Sequence, residues 1–516
     1  MENNNLPGTG VYSEPGPGGV TALEKAPAAR KGFPFFGIPA LVMLFLMMLV
    51  FGLEIYLSFH KVNIIHLAAS PAIGTQNYER LLRLREYIYG ISATSRFRAV
   101  QIAGSGLLAA AFCALYYAIR KPKAVLTFAC LWLIPACLPY YSTALLFLSP
   151  AVHSGDSGVL LYLLTSVLQM TSIFCFFGGL FTYINLLKSG KAGGWPYYGL
   201  LVAVLVWMLS PMTTNAMYNG GMAAILTDRT VDMFNFRMVG SMAQYGVGAA
   251  GGVFKIVLQV LGAVIPVVVL SILGRKKSTL GRTPLATVWV FLAVPAGVIL
   301  ALVLGMFPTD RMGSAIFRSV VTVLIGGSFG GLIAYSFIHL LRRVPSFLFA
   351  VIGVVLASAL SCLASQMIVM KNLGLRDTVL PQVLLAAFDG RLVLIVTALA
   401  FALRSHSEAR PGSLVVAAAL LAGAFVWGEI NVAALHSNRM MTVSLYTMNI
   451  MNNSMAMSTL DTAATAEVAG EAARNAANTY RTVAQLVLAI PPLLLGTGAA
   501  LMMRHSFAVP DETLRG

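Results

Sequence analysis

Charged side chains are scarce in this sequence. Asp, Glu, Lys and Arg make up 10% of its 516 residues, against about a quarter of a typical soluble domain. Hydrophobic residues make up 58%, and apolar runs of about 20 residues recur along nearly the whole chain. A helix of that length crosses the hydrocarbon core of a bilayer, which is roughly 30 Å thick. The scarcity of charge therefore argues against a set of soluble domains and indicates an all-α integral membrane protein.

The sequence also lacks the motifs of metal, nucleotide and hydrolytic chemistry. The five cysteines fall inside apolar runs without a C-x-x-C pair, and the seven histidines form no H-x-x-x-H pair. A P-loop, a G-x-S-x-G elbow and a G-x-G-x-x-G turn after a strand are all missing. We therefore predict no metal, no cofactor and no enzymatic activity.

Acidic residues are few, and the net charge is +16, from 35 Lys and Arg against 19 Asp and Glu. The basic residues cluster in short segments between apolar runs, where topology-setting charges belong. The balance therefore indicates contact with membrane lipid rather than with nucleic acid. Basic segments at 120–123, 275–282 and 342–343 share a side with the N-terminal tail, which predicts that this side is cytoplasmic.

The apolar runs predict twelve transmembrane helices, an even number that places both termini on the cytoplasmic side. Several features lie outside them: a polar cytoplasmic tail at 1–32, an Ala-rich external insertion at 452–481 and a short C-terminal tail at 508–516. Arginines in the first external loop, up to Arg98, predict an amphipathic interfacial helix over residues 78–89. The predicted spans are 33–59, 98–119, 124–148, 158–187, 195–217, 243–273, 285–306, 314–341, 345–369, 378–403, 413–436 and 482–504.

Four motifs in the first half appear in a characteristic order. They are SF with GTQNYERLL at 58–59 and 74–82, LIP at 133–135, NGG at 219–221 and YGVGAA at 245–250. This order resembles the larger permease subunit of carbohydrate ABC importers of the maltose-transporter type. The second half resembles the smaller permease of the same importers, through FRSV at 317–320, LGLRDT at 373–378 and FVWGE at 425–429.

This resemblance implies a fused pair of permease subunits in a bacterial-type inner membrane. It implies two six-helix permease-like halves, at 33–277 and 278–507. Importers of this type take up a solute with the help of an ATPase subunit. Each of their halves carries a cytoplasmic E-A-A...G coupling helix, between its fourth and fifth spans, which docks into that ATPase.

Both coupling segments depart from the family pattern. The first loop retains Lys188, Gly193 and Gly194 but lacks Glu-Ala-Ala, and the second contains only Glu408 and Ala409 before Pro411 and Gly412. Pro removes a backbone donor and Gly weakens a helix, so this stretch does not favour a docking helix. We therefore treat an ATPase partner as an open alternative and expect other membrane subunits as partners.

Five ionisable residues fall inside the predicted spans. Such residues are costly near the bilayer centre and mark either a site or a charge pair. Their spacing favours a local pair for two of them, and a bridge between two others from opposite halves is a hypothesis. The local pair is Asp389 with Arg391, the hypothetical bridge is Lys255 with Glu429, and the fifth residue is Glu54 near the end of the first span.

Glycines recur on one face of the sixth and eighth predicted spans, which predicts close helix packing there. Three functions remain open at this level: a fused permease that moves a carbohydrate-like solute, a permease-derived scaffold in a larger membrane complex, and an intramembrane enzyme. The twelve-span pattern favours the first, and the shortened coupling segments favour the second.

Overall fold

Helices account for nearly all regular structure in the computed structural model. It describes residues 37–64, 66–139, 155–209, 230–273, 312–344, 348, 351–352, 355, 362–385, 389–404, 410–429, 431–436, 442–447 and 467–508. These residues form no β-strand, and a single β-bridge joins His60 to Ala72 within them. The predicted all-α class is therefore confirmed for this part of the chain. The predicted tail at 1–32, the span at 285–306 and the first half of the insertion at 452–481 lie outside it.

The helices are named here in chain order. They are α1 Ile38–Ser58, α2 Gln76–Arg83, α3 Arg85–Cys113, α4 Pro122–Leu131, α5 Leu133–Ala136, α6 Gly155–Ser189, α7 Trp195–Leu209, α8 Val231–Phe236, α9 Tyr245–Leu273, α10 Met312–Arg343, α11 Leu363–Asn372, α12 Leu380–Leu385, α13 Gly390–Leu403, α14 Pro411–Trp427, α15 Asn431–His436 and α16 Glu467–Phe507.

Seven stretches of the described chain are long and apolar enough to cross a membrane. They are Ile38–Ser58, Arg85–Tyr117, Val167–Ser189, Tyr245–Leu273, Ala315–Arg342, Leu380–Leu403 and Leu486–Phe507. Each falls on one of the twelve predicted spans. Three shorter apolar helices, Pro122–Ala136, Trp195–Leu209 and Gly412–Trp427, fall on three more. The described residues are therefore those of an all-α, multi-pass membrane protein.

Three of the seven candidate spans form the interior of the bundle. In the most apolar part of α6, 94% of the residues are buried, against 17% in that of α1. The apolar parts of α10 and of the stretch around α13 are also mostly buried, whereas in α3, α9 and α16 only about a third or less of the apolar part is buried. Because lipid is as apolar as the interior, the exposed leucines and valines of the outer helices incur no cost there.

Close backbone approach is what packs α10 against α14. An ideal Cβ built on Gly331 would lie 2.5 Å from the backbone N and Cα of Ala419, and one on Gly327 would lie 2.9 Å from the Ala419 carbonyl oxygen. Only glycine fits at these two positions of α10 without moving α14. The predicted close packing of the glycine face in the eighth span is thereby confirmed.

Three predicted helix boundaries were wrong. The interfacial helix at 78–89 is two helices, α2 and α3, because the chain is extended at Leu84. The second span begins at Arg85 rather than at residue 98, so Arg98 lies inside α3 instead of in the preceding loop. The predicted span at 413–436 is broken after Trp427, which leaves Glu429 between α14 and α15.

Gly331→Ala tests the packing of α10 on α14. We expect the substitution to lower the thermal unfolding midpoint in detergent, because overpacking of this kind costs about 1–3 kcal/mol. The matched control is Gly262→Ala in α9, where nothing lies within 4 Å of the added methyl group. That control should be neutral or slightly stabilising, since alanine favours helix over glycine. Equal midpoints for the two variants would contradict the packing described here.

Candidate functional site

Glu54 lies close to the C-terminal end of α1 and is fully buried. Its Oε2 accepts a hydrogen bond of 2.7 Å from the backbone N–H of Ser365, in the first turn of α11. The residue that precedes α11, Cys362, provides no side-chain cap. A carboxylate from α1 therefore takes the position that an N-cap side chain usually fills.

The other carboxyl oxygen of Glu54 is unused. Oε1 is buried without a hydrogen-bond partner, and Glu54 forms no ion pair within the described residues. Tyr78 and Cys362 lie near enough to feel its charge. A tyrosine hydroxyl and a cysteine thiol are neutral or negative in every protonation state, so neither supplies a positive charge. Glu54 is thus a buried acid without charge compensation.

Lys255 pairs with Asp232, and the hypothesis of a bridge to Glu429 is wrong. The Nζ of Lys255 in α9 bonds to Oδ1 of Asp232 in α8, and both side chains are largely buried. Glu429 instead accepts a hydrogen bond of 3.0 Å from the backbone N–H of Val432 and so caps α15. Asp232 lies outside every predicted apolar run, so the sequence pattern did not single it out.

Small residues allow α9 to approach α8 and α2 closely enough to form this pair. A Cβ on Gly248 would meet Val239, and one on Gly251 would overlap the side chain of Asn235. On the same helix, Gly246 lies against Asn77, whose Nδ2 donates to the carbonyl oxygens of Ser58 (2.9 Å) and His60 (3.0 Å). The predicted close packing of the sixth span is confirmed.

Asp389 and Arg391 form the local pair that their spacing predicts. The Nη2 of Arg391 donates to Oδ2 of Asp389 at 3.0 Å, and the backbone N–H of Arg391 donates to Oδ1 at 2.7 Å, so Asp389 caps α13. The guanidinium also donates to the carbonyl oxygens of Ala136 (3.4 Å) and Leu138 (3.3 Å) and lies 4.2 Å from the centre of the Phe425 ring. Both charges are compensated, which indicates a structural role.

Three further buried arginines bind carbonyl oxygens, and sequence reasoning missed all of them. Arg98 donates to the carbonyl oxygen of Trp207 at the end of α7 (2.6 Å) and lies over its ring. Arg342 of α10 donates to the Leu403 carbonyl oxygen at the end of α13 (2.8 Å), and Arg404 donates to that of Leu341 in α10 (2.8 Å). Each arginine satisfies carbonyls that a helix end leaves unpaired.

The first coupling segment is a tight turn. Helix α6 continues through Lys188 to Ser189, and α7 begins at Trp195. Gly190 and Gly193 have φ angles of 67° and 53°, in the left-handed region that favours glycine. The side chain of Asn185 donates to the Lys191 carbonyl oxygen at 2.7 Å and closes the turn.

The second coupling segment is also short. Helix α13 ends at Leu403 and α14 begins at Pro411, so fewer residues separate them than three helical turns need. Gly412, which was assigned to the loop, instead lies in the first turn of α14. Glu408 and Ala409 lie outside the described residues.

Among the described residues, no group of three or more His, Cys, Asp or Glu side chains comes together in a way that could hold a metal ion. All five cysteines are buried and unbridged.

The chain matches no protein-family model and no curated protein. Its class, an all-α multi-pass membrane protein, therefore follows from the apolar helices themselves.

Asp389→Asn tests the pair in α13. The variant keeps an oxygen that can accept hydrogen bonds but removes the negative charge that compensates the buried Arg391 guanidinium, and breaking a buried pair costs about 3–5 kcal/mol. We expect a large fall in the thermal unfolding midpoint. The control is Glu86→Gln, which removes an exposed pair with Arg237 and should change stability by about 0–1 kcal/mol. Similar midpoints for the two variants would contradict a structural role for the Asp389 pair.

Proposed function

We propose that the chain is a permease-derived subunit of a multi-subunit membrane complex, in which it serves as a scaffold. In this proposal it consists of two permease-like halves with six spans each, in a bacterial-type inner membrane, with both termini cytoplasmic. The order of the motifs in each half supports the resemblance to a fused pair of carbohydrate importer permeases. The seven candidate spans and three shorter apolar helices fit that arrangement.

The tight turn between α6 and α7 is the observation that carries the scaffold role. An importer of the resembled type transmits closure of its ATPase through a docking helix at this place. Here the turn leaves no chain for such a helix, and the gap between α13 and α14 is shorter than three helical turns. Without such a docking helix, closure of an ATPase would not be transmitted to the spans through these loops, and ATP-driven alternating access is not expected.

Helix α16 offers the surface through which such a subunit would bind partners. It runs from Glu467 to Phe507, about 60 Å at 1.5 Å per residue, whereas only Leu486–Phe507 forms an apolar span. Residues 467–485 thus extend the last span by about 28 Å beyond its apolar part. The predicted external helix is therefore continuous with the last span rather than separate from it.

Solute translocation is the second candidate, and Glu54 favours it. Ionisable residues in spans that lack charge compensation commonly lie on solute or ion pathways. Glu54 is such a residue, at the contact between α1 and α11. An ATPase subunit would then have to dock elsewhere on the chain. None of the described residues favours the third candidate, an intramembrane enzyme.

Deleting residues 452–480 tests the scaffold proposal. The tagged full-length protein, purified from its native membrane in mild detergent, should carry partner subunits in fixed ratio, and the deletion should reduce their recovery while the bundle still inserts. The matched control reverses charge in the turn with Lys188→Glu and Lys191→Glu, which should leave the complex unchanged. A stoichiometric ATPase that is lost from this control would overturn the scaffold role and favour transport. A monomer without partners would overturn it as well.

A further inference from the structure

Glu54 differs from the other buried charges for which the structure gives partners. Lys255 has Asp232, Arg391 has Asp389, and the guanidinium groups of Arg98, Arg342 and Arg404 bind carbonyl oxygens. Glu54 is completely buried, its Oε2 accepts from the Ser365 backbone N–H beside the Ala364 backbone and the Ser365 side chain, and its Oε1 has no hydrogen-bond partner. A bare carboxylate in such a place is expensive, whereas a neutral carboxyl group is not.

The N-terminal end of α11, by contrast, favours the ionised form of Glu54. Ser365 lies in the first turn of α11, which is ten residues long and has no cap of its own. The N-terminal end of a helix carries a partial positive charge and favours an anion. Ionised Glu54 would therefore cap α11 well, while protonated Glu54 would avoid the cost of burying its charge.

We propose that Glu54 is an exchangeable proton-binding site, and that its proton controls the contact between α1 and the start of α11. With the proton bound, Oε1 carries it and Oε2 remains a weak acceptor for the Ser365 N–H. When the proton leaves, the carboxylate binds the first turn of α11 more strongly. The site joins helices that lie about 300 residues apart in the chain, and it stands whether the protein transports a solute or acts as a scaffold.

Each element packed near Glu54 contributes its own charged or titratable groups. Lys255 on α9 is engaged by Asp232, and Cys362 precedes α11. Tyr78, on α2, donates its hydroxyl to Ser58 Oγ at 2.7 Å, one turn beyond Glu54. The other elements that pack on α1 or α11 carry further buried groups: Arg318, His339 and Arg342 on α10, and His436 on α15, whose pKa burial lowers to about 4. Of these, His339 and Arg342 lie toward the end of α10 that contacts Ala40, at the opposite end of α1 from Glu54. Glu54 forms an ion pair with none of these described groups.

Infrared spectroscopy of the full chain in lipid nanodiscs tests the site directly. A protonated, desolvated carboxyl group gives a C=O band at high frequency. We expect that band in the wild type at about pH 5, and we expect it to disappear reversibly by about pH 9, a range above the pKa of about 4.3 of an exposed glutamate. Glu54→Gln should lack the band at every pH. The matched control Glu79→Gln, on exposed α2, should retain it.

Hydrogen exchange on the wild type provides a second measurement that does not depend on a variant folding. After correction for intrinsic rates, amides at the start of α11 should become about 2- to 30-fold better protected as the band disappears, the range expected for gain of a cap. A band that is absent at the acid end, or unchanged across the range, would overturn the proposal. So would a band that persists in Glu54→Gln, or protection in α11 that does not follow it.

Discussion

The interior of a membrane contains no water to satisfy a buried polar atom, and the described structure is organised around that constraint. The C-terminal end of every helix leaves carbonyl oxygens unpaired, which becomes costly when that end is buried. Arginine meets this need at several ends: Arg342 and Arg404 each bind carbonyls of the other's helix, and Arg98 binds the end of α7. The cationic side chains stabilise the negative ends of the helix dipoles, and the carbonyls in turn solvate the buried charges. Each of these contacts therefore reduces two costs at once, that of the unpaired carbonyl oxygen and that of the buried charge.

Glycine residues make these contacts possible, because side chains can reach carbonyl oxygens and opposite charges only where the helices approach closely. Gly327 and Gly331 bring α10 against α14, and Gly248 and Gly251 bring α9 against α8 and the residues that follow it. The second contact is what places Lys255 beside Asp232. Close packing and charge pairing therefore depend on each other here. A methyl group added on the glycine face of α9 would also separate Lys255 from Asp232.

The sequence reveals which residues are unusual but not what they meet. Scarcity of charge in apolar runs singled out five residues. The structure places four of them, Glu54, Lys255, Asp389 and Arg391, in buried polar contacts, whereas Glu429 lies between two helices and caps α15. Only the Asp389 pair could be predicted with its partner, since its members are two residues apart. Ser365 lies 311 residues from Glu54, and neither composition nor helical period carries such information. Arg98 was misplaced for a physical reason: arginine was interpreted as a sign of a loop, whereas a helix end and an indole ring accept it inside the bundle.

Glu54 differs from the buried charges that hold the helices in place. A buried ion pair resists movement, because separating its two side chains would leave each charge in an apolar surrounding. The pair of Lys255 with Asp232 therefore joins α9 to α8, and Arg391, paired locally with Asp389, joins α13 to the end of α5 through carbonyl oxygens. Glu54 has one firm bond and one unused oxygen, so a single proton decides whether burial or helix capping dominates its energy. A change in the medium can therefore strengthen or weaken this contact of α1 with α11 without breaking an ion pair.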